Sequence, residues 1–264
     1  MLTFDNEMLY FTEDLVKKSL ANILIVHGIA EHSGRYDHVV KKLNTAKFNV
    51  FRFDLRGHGK SGGKRGYVKN LNTLLSDVNH LVEHIRDKYP GKIFLLGHSL
   101  GGGITNIYAS LYFNIDGYIS SGAATDMVPQ MKPFKIIPYQ LLRWVTIKNN
   151  LSNNSLATIK QVEEDYQNDP YVLKKYKIGY VGDVMIKGGK ILKQNYDNIT
   201  VPALIMHGLG DPIVPVQFSE VLYERIASKD KELVIFDQSL HEIYNDCEKE
   251  EVIEKTIDWL RAHV

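Results

Sequence analysis

Six short apolar runs, separated by amphipathic stretches, restrict what this sequence can fold into more than any other feature. The runs are NILIV (Asn22–Val26), NVFRF (Asn49–Phe53), KIFLL (Lys92–Leu96), GYIS (Gly117–Ser120), PALIM (Pro202–Met206) and ELVIF (Glu232–Phe236). They are rich in β-branched and aromatic residues and mostly apolar on both faces, as strands buried beneath helices must be. Between them, Leu74, Leu75, Val78, Leu81, Val82 and Ile85 recur at helical spacing across Asn70–Tyr89, and Pro90-Gly91 stops the pattern. A last helix is expected over Cys247–Arg261. It has Glu248, Glu250 and Glu251 at its start and Arg261 near its end, the signs that the helix dipole favours at each place. This alternation predicts an α/β fold: a mostly parallel, doubly wound sheet with helices on both faces. A chain of 264 residues is long enough to bury its core.

The rhythm breaks across residues 125–198. This segment holds four of the eight prolines and the polar run KNNLSNNS, and it contains no clean buried strand. Strand-and-helix alternation resumes at Pro202. The chain therefore divides into a first core part (1–124), a mainly helical insert (125–198) and a second core part (199–264). In the insert, PFKIIPYQLLRWV predicts an apolar helix over Pro133–Val145, with Phe134, Ile137, Leu141, Trp144 and Val145 near one face.

Composition excludes several classes. A net charge of +1 gives no field for gathering nucleic acid or anionic lipid. Cys247 is the single cysteine, so neither an intramolecular disulfide nor a cysteine metal cluster is expected. The N-terminal MLTFDNEMLYFTEDL is acidic and has no continuous apolar core, unlike a secretory signal, and no run is long enough for a membrane span. A cytoplasmic location is expected. Nothing in the sequence fixes an oligomeric state.

GHSLG (Gly97–Gly101) fits G-x-S-x-G. By residue frequencies the pattern arises by chance in about one chain in ten of this length, so its context must decide. KIFLL before it reads as a strand and LGGGITNIYASLYF after it as a helix. A turn that tight lifts the Ser99 hydroxyl at the carboxyl edge of the sheet. Serine needs a base, and the base an orienting acid, in the chain order Ser, Asp/Glu, His. Four residues separate Asp211 from the end of the run PALIM, and four separate His241 from the end of the next, ELVIF. Of the ten histidines only His241 and His263 follow Asp211, and His263 is penultimate. Asp237 is the rival acid, but it sits close to His241 in sequence. Oxyanion donors are expected from the amides of Ile29, in the His-Gly turn after NILIV, and Leu100, after the serine. His27 and His32 lack an accompanying carboxylate cluster and read as structural. DLRGHGKSGGKRG (Asp54–Gly66) matches neither phosphate-binding nor dinucleotide-binding patterns and reads as an ordered loop.

Together HGIAEHSGRY, FRFDLRGHGKSGGKRGYV, GHSLGGGI, YQNDP, LIMHGLGDPIVP and LHEIYND resemble the monoacylglycerol lipase/lysophospholipase family of α/β-hydrolases, also called serine aminopeptidase-like hydrolases, from about Leu9 onward. The resemblance implies Ser99 as nucleophile, Asp211 as acid, His241 as base and the Ile29 and Leu100 amides as the oxyanion hole. It also implies that the insert is a cap over an acyl-chain tunnel. Arg35 and Tyr166 match residues that seat the glycerol head group. Tyr244, where mammalian members carry histidine, takes a third substrate-contact position, and Ile29 is bulkier than the alanine usual there.

The expected activity is cofactor-free, metal-free ester hydrolysis through an acyl-enzyme, with a small lipid ester as substrate, monoacylglycerol first. A lysophospholipase, a short-chain carboxylesterase or an aminopeptidase would use the same triad, and a non-catalytic ligand-binding protein would keep only the fold. The apolar helix of the insert would allow transient contact with a membrane surface.

Overall fold

A computed structural model, which describes residues 1–264 apart from the Lys135 side chain, resolves the alternation into one seven-stranded sheet. The chain runs β1 (Phe11–Asp14), β2 (Asn22–Val26), α1 (Asp37–Thr45), β3 (Asn49–Phe53), α2 (Leu71–Lys88), β4 (Ile93–His98), α3 (Leu100–Leu111) and β5 (Gly117–Ser121). The segment after β5 holds β6 (Thr146–Lys148), α4 (Lys160–Asn168), β7 (Lys175–Lys177), α5 (Ile178–Gly182) and α6 (Gly189–Gln194). The chain closes with β8 (Ala203–Gly208), α7 (Gln217–Arg225), β9 (Lys231–Phe236) and α8 (Lys249–Ala262). Sheet order is β1-β3-β2-β4-β5-β8-β9, and every neighbouring pair is parallel except β1 with β3.

Alternation along the central strands sorts the core into two layers. Leu24, Val26 and Leu95 face a cluster shared with α2 and α3, whereas Ile23, Ile25, Phe94 and Leu96 face one shared with α1 and α8. Both layers exclude water, so the strands carry apolar residues in succession instead of every second position. Each such side chain contributes about 2 kcal/mol on burial. Among the described residues, no helix is long and apolar enough to cross a membrane.

The six expected strands form within a residue or two of the anticipated limits. Strand β1 was not anticipated. It is an edge strand whose four residues are all half-buried and whose last two are acidic, so it carries no apolar signature. The insert is not a simple helical layer either. It adds a two-stranded antiparallel sheet, β6 with β7, whose strands are joined through α4, and a π-helical turn at Asp183–Gly188 between α5 and α6.

The expected helix over Pro133–Val145 is absent. Two 3₁₀ segments, Pro129–Lys135 and Tyr139–Leu142, replace it. Pro133 and Pro138 supply no amide hydrogen and break any longer ladder. The anticipated apolar face is therefore not covered as one: Phe134 packs against the core, while Ile137, Leu141, Trp144 and Val145 are exposed, as is Ile136 at 87%.

Candidate active site

Strand β4 ends at His98 and α3 begins at Leu100, which leaves Ser99 alone to reverse the chain. Its φ of 53° and ψ of −120° lie where non-glycine residues are strained. Neighbouring hydrogen bonds hold it there: the Ser99 amide donates to the Ser121 carbonyl at 2.9 Å, and the Ser99 carbonyl accepts from the Gly103 and Ala124 amides at 3.0 Å each. The close approach explains the glycine at 101. A Cβ there would stand 2.1 Å from the Val26 carbonyl oxygen, so any side chain would drive α3 off β2.

Three side chains distant in sequence meet at this edge. The Ser99 hydroxyl donates to His241 Nε2 at 2.8 Å, and His241 Nδ1–H donates to Asp211 Oδ2 at 2.6 Å. Asp211 Oδ1 accepts from the Ile213 and Val214 amides at 2.8 and 2.9 Å, so the turn after β8 grips the carboxylate by its own backbone. Burial alone would raise the Asp211 pKa. The His241 charge and hydrogen bonds from His207 and His241 outweigh it and hold the carboxyl well below the usual range. Burial opposes charge on His241 as well, yet Asp211 wins, and the imidazole pKa is raised above 6.5. Asp237, the rival acid, is exposed, and His263 lies at the end of α8 beside Asp230.

The turn after β2 packs directly on the serine. A Cβ added to Gly28 would lie 3.0 Å from Ser99 Cβ. His27 is fully buried; its Nε2 accepts from the Leu55 amide at 2.8 Å, and its Nδ1–H donates to the Gly28 carbonyl at 2.8 Å. Because the peptide is planar and trans, fixing that carbonyl fixes the opposite direction of the Ile29 N–H. The Gly28 amide donates to Glu31 Oε1 at 2.5 Å, and Ala30 takes a left-handed φ of 68°. Leu100 opens α3, so its amide has no intrahelical acceptor. Among the described residues neither the Ile29 nor the Leu100 amide donates to a protein acceptor.

A buried charged cluster forms the next wall. Arg35 donates to Glu242 Oε2 at 2.5 Å, lies 3.6 Å from Glu31 Oε2 and stacks 4.8 Å above the Tyr166 ring. Tyr36 donates its hydroxyl to Glu31 Oε1 at 3.0 Å, and Asn245 donates to Glu242 Oε2 at 2.9 Å. Burial, reinforced by Glu242, pushes the Glu31 carboxyl above its ordinary pKa. Ile29, Glu31, His98, Ser99, Tyr166, His241 and Glu242 line a small cavity that Leu151 and Leu156 of the insert close from above. The space left is roughly that of one water molecule.

The structure thus brings Ser99, Asp211, His241, Ile29, Leu100, Arg35 and Tyr166 to one place. It does not bring Tyr244. That ring is buried in the layer under α8, with its hydroxyl 2.9 Å from Thr256 Oγ1, so the expected substrate contact at 244 is corrected. The short His241–Asp246 turn aims Glu242 at the cavity and Tyr244 into the core. Glu31, His207 and Glu242 escaped the sequence reading. The usable signals were a glutamate within HGIAEH and a histidine four residues before Asp211.

The same turn is tied to the insert. The Glu242 amide donates to the Leu156 carbonyl at 2.7 Å, and the Thr158 amide and hydroxyl both donate to Asp246 Oδ1 at 2.8 and 2.5 Å. Asp246 Oδ2 meanwhile accepts from the Leu240 amide at 2.8 Å, beside His241.

Residues 17–248 match the family described as serine aminopeptidase, S33. A monoacylglycerol lipase of Mycolicibacterium smegmatis is 30% identical over 247 residues, which span 92% of this chain and 88% of that protein. The monoglyceride lipase of Homo sapiens is 28% identical, with 86% of this chain and 77% of the relative covered. Among solved structures, the Paleococcus ferrophilus monoacylglycerol lipase superposes with a TM-score of 0.87 at 29% identity, covering 97% of this chain and 99% of that one.

Proposed function

This chain belongs to the serine aminopeptidase S33 family of α/β-hydrolases, and from that premise we propose that it hydrolyses carboxylic esters of single-chain lipids, monoacylglycerol first, to an alcohol and a fatty acid. The supporting observation is the unbroken relay from Asp211 through His241 to Ser99, at 2.6 and 2.8 Å, beside two amides without a protein acceptor. Monoacylglycerol and monoglyceride lipases among the similar proteins favour the substrate.

In this mechanism Ser99 Oγ attacks the ester carbonyl carbon while His241 Nε2 takes its proton. The carbonyl oxygen becomes an oxyanion held by the Ile29 and Leu100 amides. Asp211 fixes the imidazole tautomer and stabilises its charged form. Collapse breaks the bond to the leaving oxygen, which receives the proton from His241. Water, deprotonated by the same histidine, then attacks the acyl-enzyme and releases the fatty acid and free Ser99.

On the alcohol side, Arg35 and Tyr166 seat the glycerol. Two buried carboxylates, Glu31 and Glu242, face a single guanidinium there. With Arg35 already bonded to Glu242, no unpaired positive charge is left there, among the described residues, for the phosphate of a lysophospholipid, and a neutral polyol is better matched. An α-amino group fits less well, because Glu31 and Glu242 already accept from Gly28, Tyr36, Arg35 and Asn245.

Residues 125–198 act as a cap. An acyl glycerol does not fit the space above Ser99, so binding displaces Leu151 and Leu156. Exposed Ile136, Leu141 and Trp144 form the part of the cap that touches a lipid surface.

A panel of lipid esters, read by released fatty acid, tests the substrate. Monoacylglycerol should exceed lysophospholipids, and an acetate ester should lie below both; a p-nitrophenyl series that peaks at acetate would replace the lipase with a short-chain esterase. Ser99→Ala should lose both turnover and fluorophosphonate labelling. Labelling at the wild-type rate would remove Ser99 from the mechanism.

A further inference from the structure

We infer that His207 is a positioning residue for this reaction: it shares with His241 the single Asp211 oxygen on which the base depends, and so sets how strongly that carboxylate holds the charged imidazole. The inference rests on the proposed roles of Ser99, Asp211 and His241.

His207 occupies the fifth position of β8 and is fully buried. Its Nε2 lies 3.1 Å from Asp211 Oδ2 and 3.0 Å from the Val214 carbonyl oxygen. Both are acceptors, so Nε2 carries a hydrogen and divides it between them. Its Nδ1 lies 2.7 Å from Ser219 Oγ in α7, a hydroxyl able to donate. Ser219 therefore fixes the tautomer, and the tautomer fixes the donor aimed at Asp211.

Asp211 Oδ2 accepts from two imidazoles, while Oδ1 takes two backbone amides. A second donor on Oδ2 draws negative charge from the oxygen that pairs with His241 Nδ1. His207 consequently does two things. It orients the carboxylate, and it restrains the rise that Asp211 imposes on the His241 pKa. The other titratable groups facing His241 are His98 from β4, Glu242 beside it and Glu31 from the turn after β2; none hydrogen-bonds to Asp211. Packing alone does not require a polar ring here. The neighbouring β8 residues Leu204, Ile205 and Met206 are apolar and equally buried, and an imidazole in such a place is costly unless its nitrogens are engaged.

Full-length enzyme assayed across pH 5–9 on a soluble p-nitrophenyl ester tests this. His207→Leu should lower kcat about tenfold with little change in KM, the loss of one hydrogen bond to a charged group. It should also move the acid limb of kcat/KM upward by about half a pH unit, because an Asp211 relieved of its second donor stabilises the imidazolium more. His207→Gln returns an N–H near the position of Nε2 and should restore both quantities to within about twofold, whereas a packing role would leave Gln no better than Leu. The low-field proton resonance between His241 and Asp211 should shift in Leu and return in Gln. A His207→Leu enzyme with wild-type kcat and acid limb overturns the inference, as does a Gln variant that matches Leu. Should His207→Leu fail to fold, Ser219→Ala takes its place, with the same direction and a smaller size expected; a wild-type pH profile in folded Ser219→Ala overturns the inference. Asp211→Asn at wild-type activity would instead bring down the triad itself.

Discussion

Asp211 and Glu31 are two buried carboxylates on either side of the same serine, and they titrate in opposite directions. Asp211 is held below the ordinary carboxylate range and Glu31 is pushed above it. Burial penalises charge at both sites, so burial cannot be the difference. Asp211 receives two backbone amides and two imidazole N–H groups, and the charge of His241 lies beside it. Glu31 receives one amide and one hydroxyl, shares Arg35 with Glu242, and feels the charge of that second acid. Donor count and neighbouring sign decide which buried acid keeps its charge. In the proposed mechanism the one that keeps its charge orients His241, while Glu31, pushed up to about 7 and only partly charged near neutrality, braces the turn that carries the Ile29 amide.

The largest test of this contrast is Asp211→Asn. It keeps the shape, removes the charge and presents the wrong hydrogen-bonding group to His241, so kcat should fall by about 10⁴. A loss below tenfold would make the two acids equivalent. Glu31→Ala should cost about tenfold in kcat, because the Gly28 amide loses its acceptor and the oxyanion turn its brace; Glu31→Gln, which retains an acceptor, should cost far less.

pH separates the pair further. With the His241 pKa raised, more imidazole is protonated at a given pH, and the acid limb of kcat/KM should fall above 6.5. Glu31→Gln removes the partial negative charge that Glu31 gains as pH rises towards its raised pKa, and should move that limb down by a few tenths of a unit. Stability should follow the opposite sign from the usual acid. The Glu31 pKa is raised in the fold above its ordinary 4.5, so wild-type stability declines as pH rises from there through the folded value. Thermal melts should show Glu31→Gln gaining on wild type between pH 5 and pH 8. A constant difference would mean that the acid ionises freely. Smallest of all, Tyr244→Phe should cost about 1 kcal/mol through its lost bond to Thr256 and leave head-group preference unchanged.

The buried framework was legible because its signals are local. NILIV, KIFLL and PALIM announce strands covered on both faces, and a serine between a strand and a glycine-rich helix announces the turn. Chain order then singled out Asp211 and His241. What escaped depends on direction instead of identity. Glu242 and Tyr244 are two residues apart, yet one faces the cavity and the other the core, and no periodicity applies inside a turn. His207 carries no local signal because its partners, Val214 and Ser219, lie beyond the turn that holds Asp211, in the loop and the helix that follow β8. Proline explains the missing helix over Pro133–Val145, where apolar spacing alone promised one. The weak edge strand β1 offers neither burial nor alternation to read.

The tie between Asp246, Thr158 and Leu240 has a consequence for anyone who would exchange substrate ranges between relatives. Transplanting residues 159–198 from another member leaves the histidine's turn on its own anchors, and the graft can be judged by its new specificity. Moving the junction back to 151 replaces those anchors along with the lid, so a dead chimera would report a displaced base instead of an unsuitable donor. The splice point belongs after Thr158.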